Sequence, residues 1–287
     1  MSGIGSIPVD LKKYIDATFY KYLPKVKTLR TAMAEKNLDS SQVTLEYSKM
    51  TQSYTEAKGY YGMADPIVLA DGATPELDSF GTSDATSTPT SYGKAFRLER
   101  KLLNSGLPFQ QAYVAQHSVE MLNTIENYVN TTLNTNWSSN AAATASASGG
   151  TWVTTGDPVT DITSAKNSFK KTAGGIDADF CAIHPDNYTS LLQDYRFQNS
   201  LYTTAGKVLD QGTITPHPFG LEWLVDTAVT KGQLYMGKKG MFGDLLITEN
   251  YKTYEVDKGV IGKEFQAVFT FVDQYKLPYY LLKLTGI

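Results

Sequence analysis

Apolar positions along this chain change period several times, and each change marks an element. From Val9 to Met33 they fall at helical spacing. Val9, Ile15, Phe19, Leu23 and Val26 share one side, with Lys12, Lys13, Lys21 and Lys25 around them. Pro24 interrupts the run, which predicts two short helices or a helix and an extended piece. Asn37-Leu38-Asp39-Ser40-Ser41 is a breaker cluster. Val43, Leu45 and Tyr47 then alternate with Thr44, Glu46 and Ser48, which is strand spacing. Tyr92, Phe96 and Leu98 stand opposite Ser91, Arg97 and Glu99 in a returning strand. Between them, Ser79 to Ser91 has Ser, Thr, Asp and Gly without periodicity and is expected to form a loop tip.

Ser105-Gly106-Leu107-Pro108 opens a helix, with Pro near the first helical position. Ala112, Ala115, Val119, Leu122, Val129 and Leu133 form its stripe, broken only by Glu126. Neither Gly nor a further Pro occurs before about Asn134, so some 27 residues predict a rod of roughly 40 Å. Asn123, Asn127, Asn130 and Asn134 line another side, expected to face solvent or a neighbour's polar surface. The Ser/Ala/Thr/Gly-rich stretch Trp137 to Gly156 is expected to be an exposed loop. Beyond it, Thr160-Asp161-Ile162-Thr163 caps a helix to about Thr172, and Phe180 to Ile183 reads as a strand. Pro185-Asp186-Asn187 opens a short helix to Leu192. Residues 220–226, 233–236 and 245–248 are expected to be strands of the same sheet. Phe265, Ala267, Phe269 and Phe271 alternate with polar neighbours. Their expected partner is the last apolar strand, Tyr279 to Leu284, with the pair packed under the long helix.

The polar, glycine-punctuated segment 41–99 is too long for a turn and too poor in apolar residues to build a core of its own. It is expected to lie on another copy of the chain. At ~25 cal/mol per Å² of buried apolar area, such a contact contributes a few kcal/mol per copy after ordering costs.

The chain has 287 residues, 41% apolar and 12% aromatic, enough for one large domain or two small ones and incompatible with disorder. Its formal net charge is −3, which gives no global reason to bind nucleic acid. The charge is uneven: residues 1–36 hold seven Lys/Arg against three acids, and residues 39–99 hold four against nine. Nineteen tyrosines suit contact surfaces or strands alike.

Cys181, the single cysteine, sits in an apolar run and reads as a small buried hydrophobe. The first residues lack the charged start and apolar block of a signal sequence, and no apolar run reaches ~18 residues. A soluble protein made in a reducing cytoplasm is expected, with no membrane partner. His117, His184 and His217 share no ligand spacing and read as structural. Gly237-Lys238-Lys239-Gly240-Met241-Phe242-Gly243 reads as a lysine-bearing turn. Neither a GxSxG elbow nor a GxxxxGK[ST] loop occurs. Asn130, Asn136 and Asn187 match glycosylation acceptors but are expected to stay unmodified. No catalytic, cofactor-binding or metal-binding residue is singled out, so an enzyme and a cofactor are not expected.

Three stretches carry a family likeness: Ala70–Glu76 followed by Ser91–Leu103, the long helix from Pro108, and Ile176–Tyr188 ending at Leu191-Leu192. In pattern and order they resemble the major capsid proteins of tailed double-stranded DNA viruses, the Hong Kong 97-type fold. The resemblance implies an α+β chain with an N-terminal arm (1–40) and an extended E-loop (41–99). It further implies a peripheral domain with a spine helix (100–157 and 249–287) and an axial domain (158–248). It implies pentamers and hexamers closing an icosahedral shell around DNA, held by non-specific contact, in a virion assembled in the host cytoplasm. Scaffolding, portal and decoration proteins would be separate chains. The basic N-terminal segment then faces packaged DNA, a scaffold or a neighbouring subunit. An encapsulin-type shell around a cargo enzyme is the alternative, and a small-molecule enzyme or binding module a more distant one.

Some members of that family weld subunits through a Lys–Asn isopeptide bond assisted by a Glu. Here Lys49, Lys58 and Lys94 lie in the arm and Glu264 in the last strands, yet residues 251–287 contain no Asn, with Asp257 a remote substitute. Subunits from mature particles are therefore expected to run singly on boiled denaturing gels, and a ladder of covalent oligomers would refute this.

Overall fold

The computed structural model describes residues 11–26, 28–38, 44–51, 54–55, 60–61, 82–103, 107–194 and 218–287. The chain begins with helix α1 (Leu11–Val26), a 3-10 turn (Leu29–Ala32) and strand β1 (Ala34–Asn37). Strands β2 (Leu45–Met50), β3 (Tyr54–Thr55), β4 (Tyr60–Tyr61), β5 (Thr82–Ser87) and β6 (Thr90–Glu99) follow. A helical turn, α2 (Arg100–Leu103), precedes the long helix α3 (Leu107–Asn140). Then come β7 (Ala143–Ser146), α4 (Pro158–Thr172), β8 (Phe180–Ile183), α5 (Pro185–Gln193) and β9 (Glu222–Val225). The remaining strands are β10 (Gln233–Gly237), β11 (Asp244–Asp257), β12 (Gly262–Gln274) and β13 (Leu281–Thr285).

Two sheets organise these elements, in the orders β1-β11-β12-β6 and β7-β13-β10-β8-β9. In the first, β12 is antiparallel to β11 and β6, and β1 joins β11 in parallel. The alternate residues Phe265, Ala267, Phe269 and Phe271 all enter one core, shared with Leu122, Ile125, Val129 and Leu133 of α3 and Ile15 and Phe19 of α1. The second sheet is covered on both faces. Phe180, Ala182 and Tyr235 face that same core. Cys181, Ile183, Leu234 and Met236 face a second one, filled by Ile162, Ala165 and Phe169 of α4. Burial on both sides explains why β8 reads as an unbroken apolar run.

Trp137 joins the sheets. It is fully buried and meets Tyr235 and Phe242 edge-on, at centroid distances of 5.7 and 5.4 Å, with Phe180 at 5.9 Å.

The structure corrects several expectations. The stretch 137–156 is not an exposed loop: α3 runs on to Asn140, β7 follows, and Trp152 is buried and donates to Asp161. Asparagines disfavour helix interiors because their side chains compete for the backbone, but here tertiary partners occupy them. Asn130 donates to Asp226 at 2.9 Å, Asn134 to Thr230 at 3.0 Å and Asn136 to Asp273 at 2.6 Å. Asn130 and Asn134 thus seal α3 to the loop after β9, and only Asn123 and Asn127 of that row are exposed. Residues 82–87 are not a loose tip but β5, paired antiparallel with β2. Strand β11 runs far beyond Thr248 and belongs with β12, not with β8–β10. The expected pairing of the final apolar strand with 265–272 is also overturned, since β13 lies between β7 and β10. The cap of α4 is Asp157, which accepts from Thr160 N at 2.9 Å ahead of Pro158. Helix α1 runs on through Pro24 rather than breaking there, at the cost of the bond that an N–H at 24 would make to Tyr20 O, and ends two residues later.

The N-terminal elements are fastened to the body by a buried charge. Arg30, on the 3-10 turn, donates from Nη1 to Glu126 Oε1 of α3 at 2.6 Å and from Nε to Glu35 Oε1 at 2.7 Å. The Tyr251 hydroxyl donates to the same Glu126 oxygen at 2.6 Å, and the guanidinium lies 4.6 Å from the Phe269 ring centre. The other Glu126 oxygen is buried without a partner among the described residues. Burial opposes the charge on Arg30, but Glu126 and Glu35 outweigh it and hold its pKa above the ordinary value. On Glu126 burial is the largest influence and pushes the carboxyl up against the pull of Arg30 and Tyr251. A carboxyl raised by folding binds its proton more readily in the folded chain. Its contribution to stability is full below the ordinary value of 4.5 and declines as pH rises through the folded value. Thermal unfolding across about pH 4 to 8 should therefore depend less on pH in Glu126→Gln than in the parent. Arg30→Ala leaves the carboxylate buried and unpaired and should cost about 3–5 kcal/mol.

Candidate assembly interface

The residues singled out for chemistry occupy structural positions. Cys181 is fully buried and burial pushes its thiol well above the ordinary value, which withholds the nucleophilic thiolate. His117 stacks on Phe96 and meets Tyr113 at a tilt, with centroids 5.5 and 4.2 Å away, and leans on Glu120 at 3.3 Å. His184 caps α5 by accepting from Asp186 N at 3.1 Å. His217 lies outside the described residues. Among the described residues, no three His, Cys, Asp or Glu side chains converge as metal ligands would. Residues 237–243 form the turn between β10 and β11, with Lys238 paired to Asp179 at 3.1 Å and Lys239 to Glu222 at 2.6 Å. Gly240 there adopts φ +67°, a left-handed conformation that suits glycine. Asn130 and Asn187 are buried and Asn136 is bonded to Asp273, so none of the three offers a free amide to a glycan.

The feature that stands apart is the ribbon of β2 and β5. It is a separate two-stranded sheet, with Leu45 opposite Ser87 and Met50 opposite Thr82. Two strands alone are marginal in water. Its hydrogen bonds to the body gather at the root: Met50 N donates to Lys276 O at 2.9 Å, Lys49 Nζ to Asn140 Oδ1 at 2.9 Å, and the Tyr279 hydroxyl to Thr51 O at 2.7 Å. Beyond the root, β3 comes against α4. Gln274 reaches Ser87 Oγ at 3.4 Å. The seat itself is held by charge. Asp244 accepts from Lys276 at 2.7 Å and from Lys36 of β1 at 2.8 Å. Burial works against its ionisation, but the two ammoniums together hold the carboxyl below its ordinary value. Strand β6, by contrast, lies in the body, paired with β12 from Thr90 to Glu99.

A second projecting element is the β11–β12 hairpin. Its tip carries Val260 and Ile261, 83% and 57% exposed. Gly259 and Gly262 make the tight turn at φ +62° and +135°, where a side chain on Gly262 would meet Leu98 O. Lys258 and Arg97 approach Glu264 at 3.9 and 3.7 Å, and Lys263 pairs with Glu255 just below the tip. A braced tip ending in two exposed β-branched apolar residues suits a contact surface. The sequence signal, an apolar pair between Gly259 and Gly262, was present but passed over. Phe109 and Tyr128 add exposed aromatic area on α3, at 58% and 57%. No helix among the described residues is long and apolar enough to cross a membrane.

The family described as phage capsid protein matches residues 83–273, about two thirds of the chain. No curated protein matches the sequence significantly. Among solved structures, a virus-like particle from Pyrococcus furiosus aligns with a TM-score of 0.62 and 10% identity, over 96% of this chain and 100% of that one. The capsid of cyanophage P-SCSP1u gives 0.62 and 12%, over 91% and 88%. Mycobacterium phage Che8 gives 0.58 and 9%, over 85% of each chain. At such identities the likeness is one of fold, and the family match favours a viral shell over a cellular compartment. The chain belongs to the phage capsid protein family, with the Hong Kong 97-type fold of a tailed-virus major capsid subunit.

Proposed function

We propose that this chain is the repeating subunit of a closed icosahedral shell, grouped as pentamers and hexamers around packaged double-stranded DNA and assembled in the host cytoplasm. The observation that carries this reading is the β2–β5 ribbon, seated at its root and standing outside both sheets. Laid on an adjacent copy, it buries surface that the single subunit leaves wet. Such a contact is heterologous, so it closes into rings when the rotation is right. Scaffolding, portal and decoration proteins would meet this shell as separate chains, and contact with DNA would be sequence-independent.

We divide the subunit by its sheets. The four-stranded sheet with α3 forms the peripheral region, and the five-stranded sheet with α4 and α5 the axial region. Strand pairing supports moving β7 and β13 from the peripheral region to the axial one. It also supports removing β6 from the projecting part of 41–99, because β6 is paired in the body. Residues 1–40 remain the N-terminal arm, held through Arg30.

Electron microscopy of the expressed chain tests the reading, with closed shells expected and a stable monomer or dimer under all salt conditions overturning it. Replacing residues 62–81 with a short Gly-Ser linker, which spares β3 and its approach to α4, is expected to change thermal unfolding of the body little while shells disappear. Joint Val260→Asp and Ile261→Asp substitution should shift stability by less than about 0.5 kcal/mol, since both sites are exposed. Particle yield should nevertheless fall. Normal yield would remove the hairpin tip from the interface.

A further inference from the structure

Helix α1 is more basic than its surroundings. Lys12, Lys13, Lys21 and Lys25 stand on it against one acid, Asp16, in a chain whose net charge is −3. Asp16 turns one carboxylate oxygen into the interior, where it is buried. The helix packs along α3, and between them lies a groove of about 490 Å³ lined by Tyr14, Ala17, Thr18, Lys21 and Tyr22 of α1 and by Ala115, Gln116 and Val119 of α3. Lys21 sits 5.5 Å from the Tyr22 ring centre and is exposed, as are Lys13 and Tyr20. Lys13 precedes Ala17 by one turn, so it stands at the rim of the same groove. Of the nearby α3 acids, Glu126 is consumed by Arg30, and Glu120 is exposed with His117 at 3.3 Å.

We propose that this groove and its rim bind the phosphate backbone of nucleic acid. The proposal rests on the shell reading above and adds a site and a chemistry to it. Two kinds of group meet there. Lysines neutralise phosphates and release condensed counterions. Tyrosine hydroxyls and a glutamine amide are the neutral donors that hydrogen-bond phosphate oxygens and fix position without reading sequence. The alanines at 17 and 115 leave the groove floor open to an extended backbone. Among the described residues of the lining, none builds a base-sized slot with paired donors and acceptors, which favours contact without sequence preference. Charge decides the class of partner: an outer face with exposed lysines and an inward-turned acid attracts a polyanion, and the neutral donors suit phosphate.

The test uses the full chain as unassembled subunits, with labelled duplexes of two unrelated sequences followed by fluorescence anisotropy at rising salt. Binding is expected to be equal for both sequences and to weaken linearly in log–log form. Lys13→Gln and Lys21→Gln, at exposed positions, should each lower the slope by about 1. Tyr14→Phe, which deletes one hydroxyl of the groove lining, should weaken binding at every salt concentration without changing the slope. Unchanged binding in both lysine variants overturns the proposal. Equal displacement by poly-glutamate at matched charge also overturns it, because the groove would then be a seat for an acidic peptide. Electron microscopy of the same variants separates the two levels: shells without DNA binding defeat this inference alone, whereas absence of shells in the parent defeats the reading beneath it.

Discussion

One buried guanidinium fixes the geometry of the amino-terminal third. Arg30 reaches Glu126 in the middle of α3, Glu35 at the start of β1 and the face of Phe269 in β12. A buried charge tolerates few arrangements, since any displacement strands it in a medium that cannot solvate it. The network therefore specifies position more than it adds stability. It sets where α1 leaves the body, how β1 enters the parallel pair with β11, and which face of α3 is covered. Glu126 is also the residue that broke the apolar stripe of α3. The break records a charge placed in the core to meet a partner almost a hundred residues away.

The second organising feature is a sheet shared by two cores. Because successive residues of a strand point to opposite faces, β8 and β10 feed both at once. Trp137 fills the corner where α3 ends and the sheets approach. The body is thereby tied together without help from the ribbon, which is left for contacts beyond the subunit. That division of labour is what a shell requires: a rigid tile and a projecting strap.

Much of this was legible in the chain. The spine helix, α4, α5, β8, β9, β10 and β12 lie close to where periodicity puts them, because their apolar positions answer to a local rule of 3.6 or 2. The turn at 237–243 was equally plain from its glycines. What periodicity could not supply was pairing. Leu281–Thr285 looks like a natural partner for the phenylalanines of β12, yet its alternation serves two cores and places it beside β10. The ribbon strand β5 is Ser, Thr, Asp and Ala, and its only argument for extension is the partner β2 across the ladder. The asparagines of α3 were misread for the same reason, as their hydrogen-bond partners lie on another element. Of the contact surface, the arm was visible as a composition change. The hairpin tip was passed over because two apolar residues in a turn carry little signal until their exposure is known.

Two of the three parallel pairings among the described residues carry a kinetic consequence. Ala34 pairs with Asp244, and Ala143 pairs with Leu282. Neither ladder can form until the chain has closed loops of more than a hundred residues, and such closures slow folding because their entropic cost precedes their reward. The five-stranded sheet in particular stays open until residues 281–285 arrive to fill the gap between β7 and β10. A partly synthesised chain thus has an unfinished tile, with the facing edges of β7 and β10 unpaired.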